Sequence, residues 1–231
     1  SDTDSEDEYE GSPFAEPMGD DDAEVEPGPE VRVVIPDGTT MIPRQGPNWQ
    51  ANDMWEEIAV SLGVITQDQL DRMHPVPTIY NQDWQDTIDA INQWRSTITE
   101  MVIPDSVQMI GRDAFHNCTS LRSITLSDSV HTVQNAAFSG CVALHTATIG
   151  NNVVTLGMQS FFGCTSLNGV SLGNSVQRIS VGTFMGCSNL LEIAIPDSVT
   201  AIDENAFVNC ASLHAVRGGN FVTTIGKNAF G

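Results

Sequence analysis

Five cysteines recur at an interval of 23 residues, and thiols can form disulfides, bind metals or pack as small apolar groups. They are Cys118, Cys141, Cys164, Cys187 and Cys210. On neighbouring coils of a stacked structure they would lie about 4.8 Å apart, within the Cα separations that disulfides tolerate. Five cysteines nevertheless leave one unpaired, and zinc needs Cys-x-x-Cys or histidine spacings that do not occur here. We therefore expect reduced, buried thiols with a packing role, and no metal.

No other residues form a spacing that predicts catalysis. Among the five histidines only His145 and His214 share a position of the interval, three intervals apart. The chain has no glycine-rich phosphate loop and no carboxylate pair in register along the predicted strands. The sequence predicts no catalytic residue, no cofactor and no enzyme activity. An enzyme or enzyme-regulating subunit is kept as a third hypothesis, which requires exposed polar clusters on the first helices.

The cysteines belong to a longer repeat, which predicts the elements that hold them. Each cysteine follows a phenylalanine by three residues, and phenylalanines recur at the same interval from Phe115 to Phe230. The unit also contains Leu-x-x-Ile-x-Leu, as in Leu121 to Leu126, and a second apolar position before Ala-Phe-x-x-Cys. Alternation in the final triplet predicts one short parallel strand per coil. The phenylalanines should stack as a spine through the interior.

Two polar positions follow each predicted strand and should form a corner. At the first, a short side chain can bond its own backbone, and at the second, a small polar group can satisfy buried backbone groups. The first position holds Asp105, Asp128, Asn151, Asn174, Asp197 and Asn220, and the second holds Ser106, Ser129, Asn152, Ser175 and Ser198.

The motifs Ile-Pro-Asp-Ser-Val, Ala-Phe and Cys-Thr-Ser-Leu, repeated at 23 residues, resemble those of BspA-like leucine-rich repeats. The resemblance covers residues 98–231 and, in part, 31–42. It implies an α/β fold, a right-handed leucine-rich-repeat solenoid with one parallel sheet, to which this chain adds a helical N-terminal section and a disordered acidic tail. The resemblance also implies a protein-binding scaffold or a subunit of a larger assembly, with a cell-surface adhesin as the alternative.

Composition divides the chain into residues 1–30, 31–97 and 98–231. The first part carries thirteen Asp or Glu and no Lys or Arg, so we expect it to be disordered. Two roles are open for it, a solvating tail or a docking segment for a basic partner.

Residues 31–97 contain apolar stripes that predict three helices. The first includes Met54 and Leu62, the second begins near Thr66, and the third runs from Trp84 to Arg95. A short strand is predicted over Val76–Tyr80. Two interpretations are open: the region is two or three degenerate coils, or it is a helical insertion.

Charge and hydropathy limit the classes of partner. The net charge is −21, and residues 31–231 carry seventeen acids, nine bases and a single lysine. No basic stripe for nucleic acid is therefore expected, and no apolar run is long enough to cross a membrane. No signal peptide is visible in the sequence. Because the chain opens on Ser1 rather than Met, a leader removed by processing is kept as an alternative. The odd cysteine count and the acidic tail favour an intracellular location over the cell surface.

Outward strand positions should carry the binding surface, unless they are only a solvated face. Small neutral residues dominate them, and a more varied edge lies alongside. The tryptophans of residues 31–97 either pack the helices or form an exposed hot spot. The candidate protein-binding residues are Arg122, His145, Glu192, His214 and Arg217 in the repeats and Trp49, Trp55 and Trp84 before them.

The end of the repeat array adds one expectation. Phe230 is not followed by a Cys-x-x-Leu strand, because the sequence stops at Gly231. We therefore expect further repeats, a cap or a partner to cover the last coil.

Overall fold

The protein is a solenoid in which each coil contributes one strand to a front sheet and one to a back sheet. A computed structural model describes residues 30–35, 37–42 and 82–231. The front strands are β1 (Arg32–Val34), β3 (Glu100–Val102), β5 (Ser123–Thr125), β7 (Thr146–Thr148), β9 (Gly169–Ser171), β11 (Glu192–Ile195) and β13 (Ala215–Gly218). The back strands are β2 (Met41–Ile42), β4 (Met109–Ile110), β6 (Thr132–Val133), β8 (Thr155–Leu156), β10 (Arg178–Ile179), β12 (Ala201–Ile202) and β14 (Thr224–Ile225).

All strand pairs of the described residues are parallel. The front ladder has the order β1-β3-β5-β7-β9, and β11 pairs with β13 beside it. The back ladder runs through all seven back strands in the same spatial order. The predicted solenoid and its parallel sheet are confirmed. The back sheet adds to that prediction, because strands of two residues are too short to show an alternating pattern in the sequence.

The front strands alternate as the repeat predicts. In β7, Ala147 is buried while Thr146 and Thr148 are exposed, and β5 repeats this arrangement around Ile124. The buried residues join the back-strand residues in one continuous core. The front sheet therefore has one face in the core and one face open to a partner.

The phenylalanine spine is confirmed. Neighbouring rings from Phe115 to Phe230 are stacked nearly parallel, with ring centroids 5.0, 5.2, 5.6, 5.4 and 5.1 Å apart along the array. The rings from Phe115 to Phe207 are fully buried, so one ring from each coil fills the turn that links the back strand to the next front strand.

The hydrogen bonds of the polar corner differ from the prediction at its first position and agree with it at its second position. The backbone N–H of Asn151 donates to Oδ1 of Asp128, one coil earlier, at 2.6 Å. In the same way, Asn220 Nδ2 donates to Asp197 Oδ1 at 3.0 Å. These side chains therefore bond the next coil, because stacking places each acceptor beside the equivalent position one repeat later. At the second position, Ser129 Oγ donates to the Val107 carbonyl at 2.9 Å.

One helix, α1 (Gln82–Ser96), precedes β3 and confirms the third predicted helix. Thr87, Ile91 and Arg95 form its buried side, and Trp94 is partly buried against the core. The other two predicted helices and the predicted strand Val76–Tyr80 lie outside the described residues.

The first described coil is in register with the repeats. Val33 pairs directly with Met101, and Ile42 pairs directly with Ile110. The strands β1 and β2 therefore stack directly on β3 and β4. The end of α1 rejoins the repeat where Ile98 precedes Leu121 by 23 residues. The two interpretations of residues 31–97, degenerate coils or a helical insertion, concern residues that lie mostly outside the described ranges.

Candidate functional site: the front face of the solenoid

The exposed face of the front sheet consists of two outward columns. Most of their residues are small and uncharged, and their side chains are exposed or half-buried. The first column is Glu100, Ser123, Thr146, Gly169, Glu192 and Ala215, and the second is Val102, Thr125, Thr148, Ser171, Ala194 and Arg217. A partner's backbone can approach such a surface closely, because few side chains project from it.

Two of the predicted binding residues lie side by side at the N-terminal half of this face. The His145 amide donates to the Arg122 carbonyl at 2.8 Å, so the two residues occupy the same position of adjacent coils. Nδ1 of His145 lies 2.6 Å from the Ala143 carbonyl, which requires a proton on Nδ1 and leaves Nε2 as the free ring nitrogen. Arg122 Nη1 lies 3.3 Å from Oε1 of Glu30.

The other three predicted residues form a second group near the C-terminal half. Arg217 Nη2 and Glu192 Oε2 are 3.1 Å apart across neighbouring strands. His214 holds its Nδ1 3.0 Å from the Ser212 carbonyl, in the same manner as His145. Asn168 and Gly169 separate the two groups, so the structure does not bring the five residues into one site.

Ion pairs neutralise the charges on this face. Besides the two pairs above, Arg32 Nε lies 3.3 Å from Glu100 Oε1. These side chains are largely exposed, so each pair contributes roughly 0–1 kcal/mol to stability. The face therefore offers hydroxyl and imidazole groups for hydrogen bonding and little net charge for steering.

The tryptophan candidates are not tested by the geometry. Trp49 and Trp55 lie outside the described residues, and Trp84 is in α1 but its side chain lies outside the described part. Trp94 packs partly buried against the core, which agrees with a packing role for that residue.

The five cysteines of the ladder are buried, as predicted, and the structure places no disulfide among them. Each thiol after the first donates to the carbonyl of a phenylalanine 26 residues earlier, for example Cys141 Sγ to Phe115 at 3.1 Å. Burial raises the pKa of Cys164 to about 12, and hydrogen bonding with the Cys141 backbone opposes this shift. In the part of the chain that the structure describes, no three His, Cys, Asp or Glu side chains are grouped as metal ligands. The thiols are therefore held as neutral packing groups.

Arg95 has a role that the sequence did not indicate. It falls 23 residues before Cys118, in the cysteine position of the first coil, and is only 2% exposed. Its Nη2 donates to the Ala114 carbonyl at 2.9 Å and lies 3.9 Å from Cys118 Sγ. The signal that points to it is the register itself, which places an arginine in a column of buried thiols.

A Gly-x-Ser-x-Gly spacing at Gly169–Gly173 is also present, although it does not form a nucleophile elbow. Ser171 is the last residue of a front strand, whereas the elbow needs a sharp turn from strand to helix. A Cβ atom on Gly173 would collide with the Gly150 carbonyl oxygen, so close packing of coils accounts for this glycine. No histidine–serine hydrogen bond is found at Ser171 among the described residues.

Within the described residues, no helix combines the length and apolarity that crossing a bilayer requires. No curated protein is significantly similar to the chain in sequence.

Three solved structures are similar to part of the chain. A leucine-rich repeat protein from Bacteroides ovatus is 31% identical, with a TM-score of 0.43, over 56% of this chain and 40% of that one. A leucine-rich repeat protein from Eubacterium ventriosum is 26% identical, with a TM-score of 0.49, over 57% and 42% of the two chains. The T. pallidum leucine-rich repeat protein is 23% identical, with a TM-score of 0.48, over 55% and 72%. The chain thus spans less than half the length of the first two.

A family model provides the assignment. The model of the BspA type leucine rich repeat region matches in six copies, over residues 90–214 and 161–231. These ranges together cover more than half of the chain and coincide with the repeats that form the coils from α1 onward. The protein belongs to the BspA-type leucine-rich repeat family.

Proposed function

We propose that the protein is a non-enzymatic scaffold that binds another protein through the front face of its solenoid. The observation that carries this proposal is the pair of outward columns, built mainly from small uncharged residues, beside which backbone carbonyls hold His145 and His214 in the same manner. Membership of a repeat family with stacked coils agrees with a binding role, because solenoids present extended surfaces of this kind.

The contact would be made mainly by hydrogen bonds and close packing. Thr146 and Thr148 are exposed two positions apart in β7, and the Nδ1 contacts of His145 and His214 with backbone carbonyls leave Nε2 of each ring for a partner. Since ion pairs already hold the arginines of this face, the partner need not supply a matching charge.

A matched pair of substitutions tests the proposal. Thr148→Arg places a long cation on the front face, whereas Thr155→Arg places the same group on an exposed back strand of the same coil. Proteins captured by the native chain should be lost with Thr148→Arg and retained with Thr155→Arg and with a chain lacking residues 1–29. Loss on removal of residues 1–29 alone would assign binding to the acidic segment instead.

The cell-surface adhesin, the alternative that accompanies this family, differs in the compartment where the protein works. The redox state of the five cysteines distinguishes the two, because disulfides persist in oxidising compartments and are rare in reducing ones. Thiol titration of protein isolated from its native source, unfolded under conditions that block exchange, should give five free thiols; fewer would favour the surface role.

A further inference from the structure

The turns that link the back strands to the front strands carry an apolar surface on two adjacent coils. Met158, Phe162 and Val181 are 49%, 37% and 36% exposed, and Met185 is half-buried beside them. We call these four residues the turn patch. Gln159 N–H donates to the Val181 carbonyl at 3.0 Å and Gly163 N–H to the Met185 carbonyl at 2.9 Å, so the two turns are bonded neighbours.

The floor of the turn patch is shallow because glycines lie between its side chains. Gly163, Gly182 and Gly186 all adopt positive φ, between 61° and 78°. A Cβ atom on Gly182 would lie 3.8 Å from Met185 Cβ and 3.2 Å from Gln159 Cγ, so Met185 already extends over this glycine. Two flexible methionines and one phenylalanine over a glycine floor can adapt to an apolar partner.

The register shows that the turn patch is not a requirement of the fold. Met158 and Val181 occupy a position held by Asn135 one coil earlier, and Phe162 and Met185 occupy one held by Ser139. Polar or small residues therefore suffice at these positions in the preceding coil, whereas Glu204 and Val208 hold the two positions in the following coil.

Charged residues are absent from this surface and return at its ends. Residues 134–143, 157–166 and 180–189 contain no Asp, Glu, Lys or Arg. At one end Arg112 is paired with Asp113, at 3.2 Å. At the other end Glu204 is exposed, and its carbonyl accepts the Gly182 amide at 3.1 Å, which places it one coil beyond Val181. No ion pair to Glu204 is found among the described residues. Depletion of charge around exposed Met and Phe is typical of the centre of a protein interface.

We propose that the turn patch docks a basic amphipathic helix of a partner protein. Coils repeat about every 4.8 Å, and residues at i and i+4 of a helix have Cβ atoms about 5–6 Å apart, so a helix along the solenoid axis can place one apolar residue on each coil. A cationic residue at the end of that apolar stripe then faces Glu204. The net charge of −21 further attracts a basic segment. The turn patch is separate from the front face, so the proposed function and this inference can fail independently.

The full chain should bind a fluorescent peptide of leucine and lysine spaced as an amphipathic helix, measured by anisotropy. Phe162→Asp should weaken binding about tenfold or more. The matched control is Val154→Asp, since Val154 is 38% exposed on the back-strand side and not in the turn patch. Glu204→Lys should also weaken binding, and it should improve binding of the same peptide with glutamate in place of lysine.

Several results would overturn the proposal. Equal affinities for Phe162→Asp and Val154→Asp would mean that the peptide binds elsewhere, for example on residues 1–30. Equal binding of the lysine and glutamate peptides would remove the argument from charge. Sedimentation that shows a dimer of the native chain, broken by Phe162→Asp, would assign the turn patch to a second copy instead. Circular dichroism of each variant confirms that its fold is retained.

Discussion

Nη2 of Arg95 donates a hydrogen bond to the carbonyl oxygen of Ala114 at 2.9 Å, and this contact joins α1 to the first complete repeat turn. Arg95 stands in the column that cysteines occupy in the following coils. Because its guanidinium carries several donors, it can satisfy carbonyls of the next turn where a thiol could donate only once. The last turn of α1 thus carries a side chain that can hydrogen-bond the first turn of the stacked repeats.

Arg95→Ala should lower the free energy of unfolding by about 2–4 kcal/mol, because it removes a buried donor and leaves a buried carbonyl unsatisfied. Urea unfolding followed by circular dichroism measures this. Arg112→Ala is the control: that side chain is 52% exposed, and its loss should cost roughly 0–1 kcal/mol. Similar losses of unfolding free energy for Arg95→Ala and Arg112→Ala would contradict the role of Arg95 in joining α1 to the repeats.

Phe161→Ala should lower the free energy of unfolding by about 3–5 kcal/mol, since it opens a cavity in the middle of the ring stack. The neighbouring Phe162 provides a matched comparison, because it is 37% exposed and outside the stack. Phe162→Ala should cost less than half as much in the same urea titration. A larger loss of unfolding free energy for Phe162→Ala than for Phe161→Ala would contradict the stabilising role of the ring stack.

Ser160→Ala should stabilise the protein by about 1 kcal/mol. The Ser160 side chain is fully buried, and its hydroxyl has no hydrogen-bond partner among the described residues. Alanine occupies the same position at Ala137 and Ala206, so the change removes an unsatisfied group without altering the packing motif. Thr183→Ala, at the same position, should instead destabilise, because Thr183 Oγ1 donates to the Ser180 carbonyl at 2.8 Å. A thermal shift in the same direction for both variants would argue against this assignment.

The cysteine ladder should make stability fall at alkaline pH. Burial raises the pKa of the Cys164 thiol from 9.0 to about 12, so the unfolded chain releases its proton first. The stabilisation is complete below pH 9 and is lost as the pH rises toward 12. Cys164→Ala should therefore show a shallower loss of unfolding free energy over this range than the native protein. Parallel curves would show that Cys164 is not protected from ionisation.

Much of the fold follows from the 23-residue register, because each apolar column must meet itself one coil later. Phe138 and Phe161, and Cys141 and Cys164, could be placed in the interior from spacing alone. The corner bonds from Asp128 to Asn151 could not, since a local turn and a bond to the next coil use the same residue types.

The candidate site is less predictable from the sequence than the fold. Repetition identifies outward positions such as Thr148, but it does not show that Arg217 is held by Glu192. The turn patch also escaped prediction, because Met158 and Phe162 resemble core residues until the structure shows that they point outward. The sequence of residues 43–81 lacks the repeat motif, so it provides no register from which contacts can be derived.

The central claim is that binding resides on the front face and the Phe and Cys columns only hold that face in place. Isothermal titration of a captured partner against the native chain, Thr148→Arg and Cys164→Ala tests it most directly. The account predicts that Thr148→Arg weakens binding about tenfold or more with unchanged stability, while Cys164→Ala lowers stability and leaves affinity unchanged. Native affinity in Thr148→Arg, or a loss of affinity in folded Cys164→Ala, would contradict it.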